Sequence, residues 1–537
     1  MRVADFFCGG GGFSEGFRQA GFQIVFAVDN WMPAVRTYQG NKPEVNVVQD
    51  DVIRISNLQD DEFEDLVPDS EIIIGSPPCQ SFSRSNKSGK ADKTGGIELI
   101  EAFLKIIARK KFKKDSVLKY WILENVPNVS AYIKDEYTAS DLGLTGDFVL
   151  RTHLGSSGIY NAKYFGAPTN RVRYLCGEFP PLLKTHNDSN VLTLEDVLDS
   201  LGDPESSEEK TIVDVNYPEL ELLSIEVTDH YYVYELAEFE WKNAKRLKQD
   251  RGYMGRMSFP ENTKKPARTV MATMTASSRE AMILSYRENR YRLPTVREAA
   301  SMMSFPIDYW FYGLTKAMKH KLVGNAVPPK ISYAIAKAIA NDSGKCVPDS
   351  YIPILHDIDN EFINLNHRIY LKKEEKPKRE VSKFKYHIPY LILSAFRVEL
   401  TNYNSDFAKR EFVWNVEIHY SQGKNRAAVY EPLIKIEQFD LEYRNLIKNY
   451  LDLKINKVAS FNRFQQIYCM TSEDKKRSNE IGPMELLEDI KRYIDENLNE
   501  YEQNSSISLD ESLGAFPLGI LFGYCILKNL LYMMGGK

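Results

Sequence analysis

The sequence predicts a doubly wound α/β domain interrupted by a long insertion and followed by a separate C-terminal α+β module. Three observations carry that expectation. Short apolar runs alternate with helical patterns in the N-terminal part of the chain, and a glycine-rich loop, CGGGGF, follows the first run directly. A later run, EIIIGSPPC, stops on two prolines and a cysteine. Strands alternating with helices pack as a mostly parallel sheet covered on both faces.

Taken in order, RVADFF reads as a buried strand, CGGGGF as a tight turn, and SEGFRQAGF as a helix that Ser14 caps. IVFAVD is a second strand ending on Asp29, followed by the helical WMPAVRTYQGN. EIIIGSPP and YWILENV are further strands, with the amphipathic GIELIEAFLKIIARKKF between them. RVRYLCGEF adds a later strand, and ISYAIAKAIA (331–340) is a helix that returns to pack on the same domain. The run LKKEEKPKREVSKFKYH (371–387) reads as a charged linker or solvated edge, with a separate module beyond it.

At 537 residues the chain is long enough for several domains. A hydrophobic share of 43% and a charged share of 27% are those of a globular protein with a sizeable core. Six cysteines show no CxxC or Cys/His ligand spacing, so neither a disulfide framework nor a metal site is expected. A reducing, cytoplasmic setting follows. The N-terminus enters a strand at once, without a signal-peptide pattern. The apolar tract LGAFPLGILFGYCILKNLLYMM is interrupted by Pro517, Lys528 and Asn529, which favours a buried helix over a membrane span.

The net charge of -5 excludes a generally basic nucleic-acid binder. Its distribution is uneven. Residues 188–240 hold sixteen acidic side chains and one Lys, whereas residues 242–292 hold thirteen Lys or Arg and four acids. A pair of solvated faces would explain this asymmetry. The basic half, however, also interleaves Trp241, Tyr253, Tyr286 and Tyr291 with its cations and contains the hydroxyl-rich KKPARTVMATMTASSR. Phosphate contacts use these residue types.

Pro77 and Pro78 end a strand and place Cys79 just past its carboxyl end, where open α/β sheets bind ligands. On that fragment alone, a packing thiol and a nucleophile remain equal readings. The strand, glycine loop, helix and Asp29 form a nucleoside-cofactor pattern. Gly10, Gly12 and Gly16 fit a dinucleotide spacing, so an NAD-dependent oxidoreductase is one reading and S-adenosylmethionine binding another. The Pro-Pro-Cys tip separates them. C5 of cytosine becomes nucleophilic once a thiolate adds to C6 and a carboxyl group holds N3. Cys79, Glu124 in LENV, and Arg171 and Arg173 in PTNRVR supply those groups.

Over roughly the first two-thirds of the sequence, the motifs DFFCGGGGFSEGFRQAGF, GSPPCQSFSRSN, ILENVPNV, FGAPTNRVRYLCG, RYRLPTVREAASMMSFP and KLVGNAVPPKISYAIA stand in one order. In that order they resemble the DNA (cytosine-5) methyltransferases of bacterial restriction-modification systems. The resemblance implies Cys79 as nucleophile, Glu124 at N3 and the amino group, and Arg171 and Arg173 near the nucleophile and the base's O2. It implies S-adenosylmethionine as cofactor, bound by Phe7, Gly9, Gly10 and Gly12 in the loop, by Asp29 and Asn30 toward the ribose, and by Asp51 and Val52 at adenine. Pro78, Leu99, Asn325 and Val327 then line the methionine end.

The implied architecture is a Rossmann-like S-adenosylmethionine-dependent methyltransferase domain (1–183 with 325–345), a target-recognition region (184–324, with the penultimate motif at 290–306) and an extension (350–537) of open role. The implied partners are double-stranded DNA, with the enzyme acting as a monomer, and a restriction endonuclease cutting the same site. No membrane is involved. A flipped cytosine is the substrate. A tRNA-directed relative is the alternative reading; its short Cys-containing signature is absent here. Cys8 is expected to be a packing residue, and the segment after Cys79, SRSNKSGKADKTGG, a closing loop.

Overall fold

The computed structural model describes residues 1–78, 93–250, 255–356, 369–421, 428–457, 459–508 and 514–535, apart from the side chain of Tyr286. They form two compact units, residues 1–236 with 260–372, and residues 237–259 with 373–537.

The first unit is built on a seven-stranded sheet. Strands β1 (Arg2–Phe6), β2 (Gln23–Asp29), β3 (Asn46–Gln49), β4 (Ile72–Gly75) and β5 (Tyr120–Asn125) run parallel in the order β3-β2-β1-β4-β5. The strand Val172–Glu178 then pairs antiparallel with β5, and Gly158–Asn161 pairs antiparallel with it at the edge. The sheet is therefore mixed, with its antiparallel part confined to one side. Its two faces follow from the period-two alternation of apolar residues. Val3, Ile72, Ile74, Ile122 and Leu175 join one core, together with Ile331, Ile335 and Ile339 of the returning helix Pro329–Asp342. Phe6, Ile73, Trp121, Leu123 and Cys176 join another, which takes in Phe103, Ile106 and Ile107 of the helix Thr94–Lys111. This is the doubly wound arrangement. The strand order reverses between β1 and β4, and the crevice at their carboxyl ends is where such sheets hold ligands.

Several details differ from the sequence expectations. The first helix spans Gly12–Gln19 with Gly11 as its N-cap, so Ser14 lies inside it and donates its hydroxyl to the Gly11 carbonyl at 3.1 Å. The inserted region is split: the helix Glu238–Gln249 belongs to the second unit, because its Arg246 is buried over the Tyr386 ring and against Met484 Sδ at 2.9 Å. The cations of 242–248 therefore belong to the second unit and those of 260–292 to the first. The first unit also runs past residue 350. Ile354 is buried in it, and the strand Ile369–Lys372, whose last two residues were expected to begin a linker, pairs in parallel with Tyr232–Glu235.

The second unit has its own core around a four-stranded antiparallel sheet and the apolar helix Leu518–Gly535. That helix is long and apolar enough to cross a membrane, but 72% of it is buried within the protein. It is the central helix of this core.

Candidate active site

The site forms where β4 and β5 end. Beyond Gly75 the chain turns through Ser76, Pro77 and Pro78, and Asn125 at the end of β5 donates its amide to the Pro77 carbonyl at 2.9 Å. Glu124, the residue before it, is 4% exposed. The Ser76 hydroxyl donates to its Oε2 at 2.5 Å, and Arg173 Nε lies 3.0 Å from its Oε1. Leu175 stands opposite Glu124 in the antiparallel pair, which puts Arg173 on the diagonal and within reach. Ser76 thus anchors one carboxylate oxygen by a hydrogen bond, while the other rests in ion-pair contact with Arg173 without an aligned hydrogen bond. Cys79 lies outside the described residues; Pro78 beside it is exposed.

Arg171 is buried and directs Nη1 to the carbonyls of Gly324 at 3.0 Å and Val270 at 3.5 Å. Thr169 and Asn170 pair with Ala267 and Arg268, and the Thr269 hydroxyl donates to the Asn170 carbonyl at 3.1 Å. The inserted region is therefore stitched by its ARTV segment to the arginine motif and so reaches the site.

On the cofactor side, the loop after β1 runs through Phe7, Gly9 and Gly10, with Phe7 in the left-handed region at φ 55°. Asp29, at the end of β2, accepts the Gly9 N–H on Oδ2 and the Trp31 N–H on Oδ1, both at 2.9 Å. Burial pushes its carboxyl above the ordinary Asp range, against the pull of those two donors. Asn30 follows, exposed, with its carbonyl taken by Gln49 at 3.2 Å. Asp51 caps the short helix Val52–Ser56 by accepting the Ile53 N–H at 2.8 Å, and Val52 is buried. Asn325 is exposed at the end of the helix Lys316–Asn325, while Leu99 is half-buried on Thr94–Lys111. Val327 touches the loop directly: a Cβ on Gly12 would sit 2.2 Å from its carbonyl oxygen, and one on Gly16 would sit 2.3 Å from the Tyr333 nitrogen. Of the three glycines that fit a dinucleotide spacing, Gly16 thus admits the returning helix and Gly12 the segment that leads into it. Cys8 is buried, and burial with Asp29 and Asp5 nearby drives its thiol well above the usual range, as suits a packing residue.

Sequence reasoning passed over Ser76, Asn125 and Thr269. The first two flank residues already singled out and were legible as strand-end polar groups. Thr269 had no local signal, because its partner is 99 residues away.

A glycine loop beside Asp29, and a Pro-Pro turn backed by the buried Glu124 carboxylate, stand at the carboxyl ends of an α/β sheet, where enzymes of this class hold their ligands. The chain belongs to the C-5 cytosine-specific DNA methylase family, whose profile matches residues 1–341, and is a DNA cytosine-5 methyltransferase. Among its relatives, the type II methyltransferase M.MthTI of Methanothermobacter thermautotrophicus is 29% identical, covering 64% of this chain and 98% of that protein. The type II methyltransferase M.HgiDI of Herpetosiphon aurantiacus is also 29% identical, covering 63% and 94%. Among solved structures, the S. pombe Dnmt2 methyltransferase aligns at 19% identity with a TM-score of 0.40, over 64% of this chain and 99% of that one.

Proposed function

We propose that the protein transfers a methyl group from S-adenosylmethionine to C5 of a cytosine flipped out of a specific duplex sequence, through a covalent bond between Cys79 and C6. The observation that carries this reading is the Glu124 carboxylate, anchored by Ser76 and paired with Arg173 beside the turn that leads to Cys79. In this scheme the Cys79 thiolate adds to C6 while Glu124 supplies the proton or hydrogen bond at N3, and the displaced electron pair makes C5 a nucleophile. Loss of the C5 proton then expels the thiolate. S-adenosylmethionine, when bound, supplies an electrophilic methyl on a sulfonium. The close-set backbone of Gly9 and Gly10 and the oriented Asp29 carboxylate fit its nucleoside end, each Asp29 oxygen keeping a further lone pair for ribose hydroxyls.

We place the choice of target sequence in the inserted residues of the first unit, which ARTV fastens to the site. The enzyme then acts as a monomer on double-stranded DNA. The naming of its relatives as type II methyltransferases supports a companion endonuclease directed at the same unmodified sequence. The test is a duplex with 5-fluorocytosine at the target, because fluorine cannot leave C5 as a proton does. Wild-type protein should form an adduct that survives denaturation and depends on S-adenosylmethionine. Absence of that adduct on a duplex whose unsubstituted form is methylated would rule out addition at C6.

Asp29 gives a second test. Its ionised form is the ribose acceptor, and its carboxyl takes up a proton at a higher pH than a free Asp does. Affinity for S-adenosylmethionine should therefore weaken as the pH falls through that raised value. Asp29→Asn should cost roughly 10- to 100-fold in affinity near neutral pH, the worth of a charge-assisted hydrogen bond. It should also flatten the acid limb of a calorimetric pH series. A variant that keeps both the wild-type affinity and its acid limb would remove Asp29 from the ribose site.

A further inference from the structure

The cofactor loop is not held by its own residues alone. The Tyr309 hydroxyl donates to the Gly10 carbonyl at 2.7 Å and accepts from Lys42 Nζ at 3.1 Å. Lys42 Nζ also lies 3.1 Å from Glu15, and both side chains are fully buried. Gln19 donates to Glu15 at 3.0 Å and to the Ile352 carbonyl at 2.8 Å, and its own carbonyl accepts the Ile352 N–H at 2.9 Å. Arg18 doubles the connection, pairing with Glu15 at 2.8 Å and donating to the carbonyls of Ile352 at 2.8 Å and Pro353 at 3.1 Å. An unbroken chain of polar contacts therefore runs from the loop backbone to residues 352–353, which lie beyond the 1–341 matched by the family profile.

Gly11 fits this arrangement. Its backbone is left-handed at φ 79°, and a Cβ there would sit 2.5 Å from the Tyr309 hydroxyl. The third glycine of the loop's run thus makes room for Tyr309, a requirement separate from cofactor contact. Burial works against the charge of Glu15, but Arg18 and Lys42 beside it outweigh that and hold its carboxyl down at about 2. The ionised pair is well suited to pinning: a buried charge network of this kind has few alternative arrangements that leave its members paired.

We infer that Tyr309, Lys42 and Glu15 are positioning residues for the cofactor loop, and that the strap at 351–354 following the catalytic domain locks them through Gln19 and Arg18. The strap is fixed in turn at its far side, where the Tyr351 hydroxyl donates to Asp308 at 2.7 Å, next to Tyr309 in sequence. Both ends of the contact chain therefore meet at 308–309. The functional catalytic part of this chain extends at least to residue 354, and cutting it at 342–347 would release the cofactor loop's support.

This inference rests on S-adenosylmethionine being the cofactor, and the experiment separates the two. In the full-length protein, Tyr309→Phe keeps the ring and removes the bond to Gly10. It should raise the Kd and KM for S-adenosylmethionine about tenfold, the usual worth of one lost buried hydrogen bond. The kcat at saturating cofactor and the KM for DNA should stay within about twofold of wild type, since lost preorganisation of a loop is recovered once the ligand is bound. Gln19→Leu, which removes one of the strap's two links to Glu15 without touching the loop and leaves the Arg18 link in place, should shift the same constant in the same direction by a smaller factor. Ile106→Val, which trims a buried side chain on the opposite face of the sheet, should lower the melting temperature and leave the cofactor Kd unchanged. If Tyr309→Phe and Gln19→Leu lower the melting temperature but bind cofactor as the wild type does, the residues are merely structural and the inference fails. Where Tyr309→Phe does not fold, Gln19→Leu alone decides by the same criterion. A wild-type protein that does not bind S-adenosylmethionine would instead overturn the cofactor assignment.

Discussion

Cys79→Ala should abolish methyl transfer into duplex DNA, with a loss on the order of 10⁴-fold or more, as expected when a covalent nucleophile is removed. Binding of S-adenosylmethionine should stay within about twofold of wild type, because the groups fitted to the nucleoside end sit on β1, β2 and the loop between them. The substitution is small, and the turn before it is held independently by the Asn125 amide on the Pro77 carbonyl. Loss of activity would therefore report chemistry, not a collapsed strand end. The measurement is incorporation of labelled methyl groups into a duplex bearing the target, with cofactor affinity determined on the same preparation. Turnover within tenfold of wild type would reassign Cys79 to packing.

How much of this was legible in the sequence depended on how local the cause was. The strands β1, β2, β4 and β5 were readable because each is a short apolar run closed by a residue with one clear function: a glycine loop, Asp29, two prolines, and Glu124 with Asn125. Those strand ends also pointed to Glu124, Arg171 and Arg173, which the structure places at or beside the carboxyl ends of β4 and β5. Ser14 misled because a hydroxyl near a helix start is a good cap in isolation, whereas the left-handed Gly11 begins this helix one turn earlier. The buried cations were unreadable for a different reason. Lys42 looks like a solvated residue in QGNKPE, and only Tyr309, 267 positions later, and Glu15 make it a core residue. Likewise, the basic run 242–292 is continuous in sequence but is shared between the two units, and Arg246 is claimed by Tyr386 and Met484 of the second. Composition shows that a segment is basic; it does not show which cations are already used.

Glu124→Gln carries the second large effect. The substitution preserves volume, so the strand pairing of Leu175 with residue 124 and the burial of the site should survive. What changes is the capacity of the group. A glutamine oxygen can still accept from the Ser76 hydroxyl, but its NH2 then faces Arg173 Nε, donor against donor, where the carboxylate oxygen stood 3.0 Å away. The reversed orientation instead denies Ser76 its acceptor. In neither orientation can the amide pass a proton to N3, so the thiolate must add to a ring activated at most by a neutral hydrogen bond. The kcat should fall by about 10² to 10⁴, the range for a general acid or its charge-assisted equivalent. Cofactor affinity should remain near wild type. Ser76→Ala should give a smaller loss, about tenfold, because it removes one orienting hydrogen bond and leaves the carboxylate and its pairing with Arg173. The two variants therefore form a graded pair, read by single-turnover methylation at saturating DNA and cofactor. A Glu124→Gln enzyme as fast as wild type would show that the carboxylate serves only to anchor Ser76 and Arg173. Equal losses in the two variants would show instead that orientation of the group, not its proton, limits the reaction.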